Sequence, residues 1–344
     1  MSVSVVIPLY NGAPWIQETI STILAQSLKP DRVIVVDDGS TDESANLARA
    51  FPGVEVIPNE GKGSSVARNI GLRYVSSEYV AFLDQDDLWH TSHLKTLTET
   101  LTAHPSANTV VATADCFTTD SPRYDDSDGM MHFFDPWTRY PFTIGVEGPS
   151  VALHRANVLS TVGLWEECAT GMGDALIFLK LAALHPLAVN ESCTVGKRIH
   201  ASQQWLQVRE LGVQYLGFRY GVMLRALEFR RNCFPDDPRL DLYSRRLEAL
   251  RSLQKLTAAI ETGKWEDIGL IALGLEERIG DGPIDYLPHA FYCLMGALFK
   301  TVDADELQQL RDDVFSKMLA FWPAEAGATR RALQSVIGER PRVS

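Results

Sequence analysis

The first hundred residues alternate short apolar runs with amphipathic helical patterns, and no other feature limits the possible folds as much. The runs are rich in β-branched residues, which is typical of strands buried on both faces of a parallel sheet. The predicted strands are Val3–Ile7, Arg32–Val36, Val54–Pro58, Tyr79–Leu83 and Thr109–Ala114. Strands that alternate with helices predict βαβ units, and therefore an α/β domain with a mostly parallel sheet flanked by helices.

The pattern changes near Trp205 to long helical stretches without a convincing strand. These stretches are Tyr215–Arg231, Leu240–Ile260 and Asp303–Trp322. A chain of 344 residues is long enough for two domains at roughly 150 residues each. We therefore predict an α/β domain over residues 1–205 and an all-helical C-terminal domain over residues 206–344, whose role the sequence does not give.

The net charge of −12 argues against sequence-independent nucleic-acid binding, which relies on Lys and Arg to displace counterions from phosphates. The five cysteines stand far apart and match neither a zinc pattern nor a secreted disulfide framework. The first residues lack the basic and apolar regions of a signal peptide, and no apolar run is long enough to span a bilayer. We expect a cytoplasmic protein with no nucleic-acid partner and no transmembrane segment.

Three carboxylates lie within four residues directly after the fourth predicted strand, in the sequence Asp84-Gln85-Asp86-Asp87. Such crowding is unfavourable without a cation, and oxygen ligands at a strand end suit Mg²⁺ or Mn²⁺ held together with substrate phosphates. An EF-hand is excluded because its sixth and twelfth positions would be Trp89 and Lys95. The motif predicts a site for a diphosphate and a metal; the alternative is an acidic turn that caps the next helix.

Two further segments carry polar groups at the same predicted edge of the sheet. Asp38 follows the second strand, where a carboxylate can accept from a nucleobase or a ribose hydroxyl, or can merely favour a helix N-terminus. Ser40 and Glu43 stand in the capping-box relation, which predicts a helix beginning directly after Gly39. Arg68 follows a glycine-bearing loop and either faces phosphate or base or is a surface arginine.

Four motifs in order resemble glycosyltransferase family 2. They are Val6-Ile7-Pro8-Leu9-Tyr10-Asn11, Val36-Asp37-Asp38-Gly39-Ser40-Thr41-Asp42, Ala67-Arg68-Asn69-Ile70-Gly71 and Leu83-Asp84-Gln85-Asp86-Asp87. The resemblance covers about residues 1–205 and implies the Rossmann-like GT-A fold. It also implies an inverting transferase that uses a nucleotide-activated sugar and a divalent metal, Mn²⁺ or Mg²⁺.

By position, the resemblance implies a role for each matching residue. Asp84 would approach the ribose, and Asp86 would hold the metal that bridges the diphosphate. His200, in a segment that resembles the end of the family's catalytic domain, would lie near the metal; alternatively, it is a structural histidine. The remaining nucleotide-pocket residues would be Pro8, Tyr10, Asp38 and Arg68.

The resemblance assigns Asp174 as the catalytic base that takes the proton of the acceptor hydroxyl. The surrounding residues depart from the family pattern: Trp165-Glu166 stands for Phe-Asp, Gly173 for Glu, and Lys180 for Arg. Helix-start amides should keep Asp174 ionised. The alternative for Asp174 is a helix cap, which would leave Glu166 or Glu167 as the next candidate base.

The segment Ser121–Glu147 is long for a plain connection, which is typical of lids and binding loops. It falls where this fold builds its acceptor side, so Trp137 and Tyr140 are candidates for stacking on a sugar; a plain surface loop is the alternative. In the helical domain, an Arg-rich stretch between Arg209 and Arg246 would contact anionic lipid or, as we favour, form a solvated helix face.

These observations predict a hexosyl-type glycosyltransferase that acts on a nucleoside diphosphate sugar, with UDP as the expected nucleotide. The expected acceptor is a saccharide or lipid-linked saccharide of a bacterial surface polysaccharide, reached from the cytoplasm or peripherally at the inner face of the membrane. One alternative is a GT-A-like protein that only binds sugar nucleotides, because Gly173 departs from the pattern. A nucleotidyltransferase ranks last, since no glycine-rich, Lys-bearing triphosphate loop follows the first strand.

Overall fold

The computed structural model describes residues 1–118, 121–125, 131–134, 148–163, 165–166, 173–200, 213–279 and 304–335. These residues divide into two compact units, the first ending at His200 and the second beginning at Val213. The first unit combines strands and helices, and the second consists of helices.

Among its described residues, the first unit contains one nine-stranded sheet and six α-helices. Its strands are β1 (Val3–Leu9), β2 (Arg32–Asp37), β3 (Val54–Pro58), β4 (Tyr79–Phe82), β5 (Leu88–Trp89), β6 (Thr109–Phe117), β7 (Met131–Phe134), β8 (Ala152–Arg155) and β9 (Leu187–Arg198). Its helices are α1 (Ile16–Leu24), α2 (Ser44–Arg49), α3 (Ser64–Leu72), α4 (His93–Ala103), α5 (Ala156–Val162) and α6 (Gly173–Leu184).

The strand order is β3-β2-β1-β4-β8-β6-β9-β5, and β7 pairs with β9. Strands β3, β2, β1 and β4 are parallel, as are β6 and β9. Strand β8 is antiparallel to both of its neighbours, and β5 and β7 are antiparallel to β9. The prediction of an α/β sheet is confirmed, but the sheet is mixed rather than mostly parallel, because only its first half is built from consecutive βαβ units.

Strand β1 lies at the centre of the parallel half and is buried along its whole length. Its Val5 is in register with Val33 of β2 on one side and Ala81 of β4 on the other. Helix α3 packs across β1 and β2. A side chain at Gly71 of α3 would collide with Val6, so glycine allows this helix to approach the sheet closely. That approach carries the N-terminal end of α3 to the carboxyl edge of the parallel strands.

The capping-box prediction was wrong. Helix α2 begins at Ser44 rather than directly after Gly39, and its Ser44 N–H donates to Asp42 (3.0 Å). The Ser40 hydroxyl instead accepts from the backbone N–H of Asn11 at 3.0 Å. A long-range partner therefore takes the oxygen that the local pattern assigned to the helix.

The described part of the second unit contains no strand. Its helices are α7 (Val213–Cys233), α8 (Leu240–Glu261), α9 (Ile268–Ile279), α10 (Ala304–Phe321) and α11 (Gly327–Ser335), and α8 packs against α7 and α9. Among the described helices, none is long and apolar enough to cross a bilayer. Arg230, from the Arg-rich stretch, is buried against Asp237 at 2.7 Å, so this arginine does not face lipid or solvent.

Two buried histidines in the first unit make its stability depend on pH. Burial lowers the pKa of both His93 and His154 to about 3. An unfolded chain protonates them near pH 6.5, so their neutral form contributes stability that is lost as the pH falls from 6.5 towards 3. Each histidine is expected to lower the free energy of unfolding by about 1.4 kcal/mol per pH unit in this range.

The matched variant is His154→Gln, which keeps a polar group next to Thr109, the hydrogen-bond partner of His154 at 3.0 Å. Denaturant unfolding of both proteins between pH 7.5 and pH 4.5 measures the slope. The variant should lose less stability on acidification than the wild type. If the free energies of unfolding of the two proteins fall equally on acidification, the assignment of a buried neutral histidine is contradicted.

Candidate active site

A buried ion pair joins two of the predicted nucleotide-binding residues at the carboxyl edge of the sheet. Asp84 follows β4, and its Oδ1 accepts a hydrogen bond from Arg68 Nη2 at 2.6 Å. Burial alone would raise the pKa of Asp84, but Arg68 and Lys197 outweigh burial and lower it. Arg68 is only 7% exposed, which rules out the surface-arginine interpretation and keeps a charged pair at the edge of the sheet.

The indole ring of Trp165 lies beneath the side chain of Arg68. The Arg68 guanidinium lies 4.8 Å from the centre of the indole ring, and Phe82 meets the same ring edge-on at 5.1 Å. The side chain of Asn69 donates to the carbonyl of Trp165 (2.7 Å) and accepts from its N–H (2.8 Å). Helix α3 therefore fixes the backbone of Trp165 as well as its ring.

A second buried carboxylate, Asp87, is held by residues that the sequence interpretation did not assign. Its Oδ2 accepts from Ser150 Oγ at 2.6 Å and lies 3.1 Å from Lys197 Nζ. Burial raises the pKa of Asp87 to about 6, with Lys197 opposing the shift and Asp84 adding to it. Burial would lower the pKa of Lys197, but Asp87 and Asp84 more than compensate and raise it. Lys197 is therefore a cation of the site.

The two predicted metal residues lie side by side. His200 Nε2 is 2.8 Å from Asp86 Oδ2, and the imidazole stacks on Trp15 with ring centres 4.1 Å apart. One carboxylate and one imidazole suit Mn²⁺ or Mg²⁺, which take the rest of their ligands from water and substrate phosphates. Within the described residues, no group of three or more such side chains is arranged around one metal position.

The charges around this pair also fit a cation. Lys197 interacts electrostatically with Asp84, Asp86 and Asp87. Asp87 also interacts with Asp84 and Asp86, and Asp174 interacts with Asp84. These four carboxylates outnumber Arg68 and Lys197, which act on them. A further cation beside them, Arg198, donates to the Asp86 carbonyl and is paired with Glu18. The residues present therefore fit a divalent cation that offsets the excess negative charge.

Asp174 is the second residue of α6, as predicted, and its Oδ1 accepts from the Ala175 N–H at 2.7 Å. Asp174 Oδ2 and Lys197 Nζ both lie close to Gly148. A Cβ atom built on this glycine would be 3.9 Å from Oδ2 and 3.2 Å from Nζ. Burial raises the pKa of Asp174, and Arg68 and the Ala175 N–H only partly oppose this. The Ala175 N–H at the helix start lowers the pKa of Asp174, in the expected direction, but burial is the larger effect.

Asp38 shapes the loop that precedes α3. One carboxylate oxygen accepts from the Asn59 side chain at 2.6 Å, and the other accepts from the Gly63 N–H at 2.8 Å. Gly63 has a φ of +98°, a backbone conformation that favours glycine. The carboxylate at the end of β2 therefore holds a left-handed glycine immediately before the helix that carries Arg68.

Pro8 and Tyr10 lie at the carboxyl end of β1 and just beyond it. Pro8 is in register with Val36 of β2, and Tyr10 is 55% exposed. Gln85 binds the backbone of Tyr10 twice, accepting from its N–H at 2.8 Å and donating to its carbonyl at 3.0 Å. Gln85 thus ties the carboxylate motif to β1, a role that the sequence did not reveal. Trp137 and Tyr140 lie outside the described residues, and their assignment stays a prediction.

Comparison with known proteins agrees with this arrangement. Residues 4–163 match the sequence profile of Glycosyl transferase family 2. This segment, just under half of the chain, resembles the family in sequence. The recognition of the family from its four motifs is thereby confirmed.

Two curated relatives and one solved structure illustrate the similarity. Glycosyltransferase GlyG of Streptococcus pneumoniae serotype 4 is 32% identical over 137 residues, which cover 38% of this chain and 43% of GlyG. The putative teichuronic acid biosynthesis glycosyltransferase TuaG of Bacillus subtilis is 37% identical over 98 residues, covering 27% of this chain and 39% of TuaG. The chain thus matches less than half the length of these relatives.

The solved structure is residues 1–349 of S. aureus TarS in complex with UDP-GlcNAc. It has a TM-score of 0.58 and 17% identity, and the match covers 97% of this chain and 91% of that one. At this identity the likeness concerns the fold alone. The predicted GT-A fold is confirmed.

The departures from the glycosyltransferase family 2 pattern are explained by packing. A Cβ atom on Gly173 would lie 2.7 Å from Ser65 Oγ and 2.8 Å from the carbonyl oxygen of Glu166, so a glutamate does not fit there. Glu166 and Lys180, which replace Asp and Arg of the pattern, form an ion pair at 2.5 Å. Each of these two substitutions keeps its charge, and the two residues are partners in one ion pair.

Replacing Lys197 by Met is expected to destabilise the protein, because the buried Asp87 loses its ion partner. The free energy of unfolding should fall by about 3 kcal/mol at neutral pH, measured by denaturant unfolding. Adding Asp87→Asn should recover part of the loss, since the uncompensated charge is then removed.

Glu55→Gln is the matched control for this comparison. Glu55 pairs with Arg32 at 2.6 Å in a more exposed position, and losing an exposed pair costs about 1 kcal/mol or less. If Lys197→Met costs no more than this control, Lys197 does not neutralise Asp87.

Proposed function

We propose that this chain is a metal-dependent inverting glycosyltransferase of the hexosyltransferase type. It would move a sugar from a nucleoside diphosphate sugar to an acceptor hydroxyl. The observation that carries the proposal is the adjacency of the Arg68–Asp84 pair, the Asp86–His200 pair and Asp174 at the carboxyl edge of the sheet. Ligands of open α/β sheets bind at this edge, and the family assignment of residues 4–163 supports the same conclusion.

The donor nucleotide is assigned to the face formed by β1, β2 and α3. Pro8, Tyr10 and Asp38 border it from the strand ends, and Arg68 and Asp84 close it from below. Asp84 has a lowered pKa, so it stays ionised and is able to accept from a ribose hydroxyl. UDP is the proposed nucleotide, and the TarS structure with UDP-GlcNAc supports a uridine donor by its shared fold.

Asp86 and His200 are the residues that would hold Mn²⁺ or Mg²⁺. The bound cation would act as a Lewis acid that stabilises the charge on the leaving nucleoside diphosphate. Trp15 stacks on the imidazole of His200 and so helps to hold it beside Asp86.

Asp174 is the proposed general base. Its carboxylate would accept the proton of the acceptor hydroxyl while the hydroxyl oxygen attacks the anomeric carbon. The bond to the diphosphate breaks on the opposite face, so one displacement inverts the centre. Burial raises the pKa of Asp174 above its ordinary value, which makes it a stronger base than an exposed aspartate.

The proposed acceptor is a saccharide or lipid-linked saccharide of a bacterial surface polysaccharide. TuaG is named for teichuronic acid biosynthesis, and this likeness supports the acceptor class. Action from the cytoplasm, with peripheral contact at the inner face of the membrane, agrees with that class. Trp137 and Tyr140 are the proposed stacking residues for the acceptor.

A sugar-nucleotide-binding protein without turnover is the competing function. It was suggested by Gly173, which stands where the family has a glutamate. The close contacts of Gly173 with Ser65 and Glu166 give this glycine a packing reason, and Asp174 remains in the cluster. The arrangement therefore favours an enzyme.

Donor binding is expected to require a divalent metal. UDP with Mn²⁺ should raise the melting temperature, because a ligand at a hundred times its Kd adds about 2.7 kcal/mol to stability, and a chelator should remove most of the shift. Asp86→Asn should respond weakly to the same ligand. A thermal-shift series with UDP, GDP and dTDP checks this, and no response to any of them in Mn²⁺ would contradict the proposed donor class.

Asp174→Asn is expected to separate chemistry from binding. The amide keeps the size of the side chain but cannot accept the proton, so the transfer rate should fall by about 10²–10⁴ while UDP and Mn²⁺ affinities stay near wild type. Asp86→Asn, in contrast, should weaken donor binding itself. Single-turnover transfer and UDP titration measure the two effects. Near-normal transfer by a folded Asp174→Asn protein would return Asp174 to a helix-cap role.

A further inference from the structure

We propose that the ion pair between Lys180 and Glu166 is a positioning device for Asp174. It fixes the start of helix α6 against the donor side of the site. The inference rests on the function proposed above, in which Asp174 is the base. It adds two residues that act through Asp174 rather than by touching the substrate.

The first observation is the environment of Lys180. It is 8% exposed and lies on α6, whose other residues from Ala175 to Ala183 are buried and apolar. A lysine in such a place needs a counter-ion, because an unpaired buried charge is strongly unfavourable. Glu166 supplies the counter-ion at 2.5 Å. The pair therefore constrains where α6 can lie relative to residue 166.

The second observation is the close approach of the Glu166 backbone to the helix start. The Glu166 carbonyl oxygen would be 2.8 Å from a Cβ atom on Gly173, the first residue of α6. The same residue 166 therefore meets α6 twice, through its backbone at the first turn and through its side chain two turns later. Two such points along one helix fix the direction of the helix axis as well as the distance of the helix from residue 166.

The third observation links this junction to the donor side. The backbone of Trp165, which precedes Glu166, is held by two hydrogen bonds with the Asn69 side chain of α3, one accepted and one donated by Trp165. The neighbouring Arg68 lies over the Trp165 ring and pairs with Asp84. Residues 165 and 166 thus connect the α3 residues that face the donor with the helix that carries Asp174. A base must lie within hydrogen-bond reach of the acceptor hydroxyl, so this connection controls its efficiency.

Lys180→Met is the decisive variant, because methionine fills a similar space and the partly exposed Glu166 side chain (36%) is left hydrated. We expect kcat to fall about 10- to 100-fold, the loss caused by a misplacement of roughly 1 Å. The KM for the donor and the affinity for UDP should stay at the wild-type values. Lys180→Arg, which retains the charge, should restore most of kcat, and Glu166→Gln added to Lys180→Met should cause little further loss.

Amide hydrogen exchange of residues 175–180 gives a readout that does not depend on activity. Exchange there should be faster in Lys180→Met than in the wild type, because the helix loses an anchor. Glu55→Gln, which breaks the distant Arg32–Glu55 pair, is the control that should change neither kcat nor exchange in α6. If Lys180→Met fails to fold, Glu166→Asp carries the test, since it shortens the same link by one methylene group.

Wild-type kcat together with wild-type exchange in a folded Lys180→Met protein would overturn the proposal. A loss of UDP affinity in step with kcat, or an equal loss of kcat in Lys180→Arg, would also overturn it. Failure of the proposed function looks different: the wild type itself would transfer no sugar from any nucleoside diphosphate sugar. In that case the exchange measurement still decides whether the ion pair fixes α6.

Discussion

Crowded carboxylates at one edge of the sheet are the constraint on which the rest of the site depends. Asp87 is buried and Asp84 is half-buried, and an isolated carboxylate removed from water would take up a proton rather than stay charged. The fold supplies a separate cation to each one: Arg68 from α3 and Lys197 from β9. These cations come from segments far apart in sequence, so the charged site exists only once the whole sheet has formed.

This arrangement is a poor way to gain stability and a useful way to prepare for a charged ligand. Apolar residues of similar volume often stabilise a core as well as or better than a buried ion pair. Burial, with Asp84 and Asp86 adding to it, raises the pKa of Asp87 to about 6 against the opposing effect of Lys197. The carboxylates Asp84, Asp86, Asp87 and Asp174 outnumber Arg68 and Lys197, so negative charge remains in excess. A site that keeps this excess is suited to a divalent cation accompanied by a diphosphate, whose charges oppose each other.

The sequence predicts the elements that depend on local pattern. It does not predict contacts between residues that are far apart in the chain. The strands of the parallel half and helices α7, α8 and α10 follow from periodicity. The antiparallel pairings of β5, β7 and β8 join segments far apart in sequence, so no period reveals them. Ser40 was misassigned because Asn11 competes for its oxygen. Lys197 lies in the segment compared with the family, but only the folded sheet shows its contact with Asp87.

Trp165 illustrates why single substitutions around this site should not be additive. Its ring supports Arg68 and packs on Phe82, while its backbone is bound to Asn69 and leads directly into Glu166. A change at the ring therefore acts on the donor-side ion pair and on the anchor of α6 at once, and residues that share a partner couple by about 0.5–3 kcal/mol. The chain has tryptophan and glutamate here, where the family has phenylalanine and aspartate. The larger Trp165 ring lies beneath Arg68, and the longer Glu166 side chain reaches Lys180, which is shorter than the arginine of the family. The effects of the two substitutions therefore depend on each other.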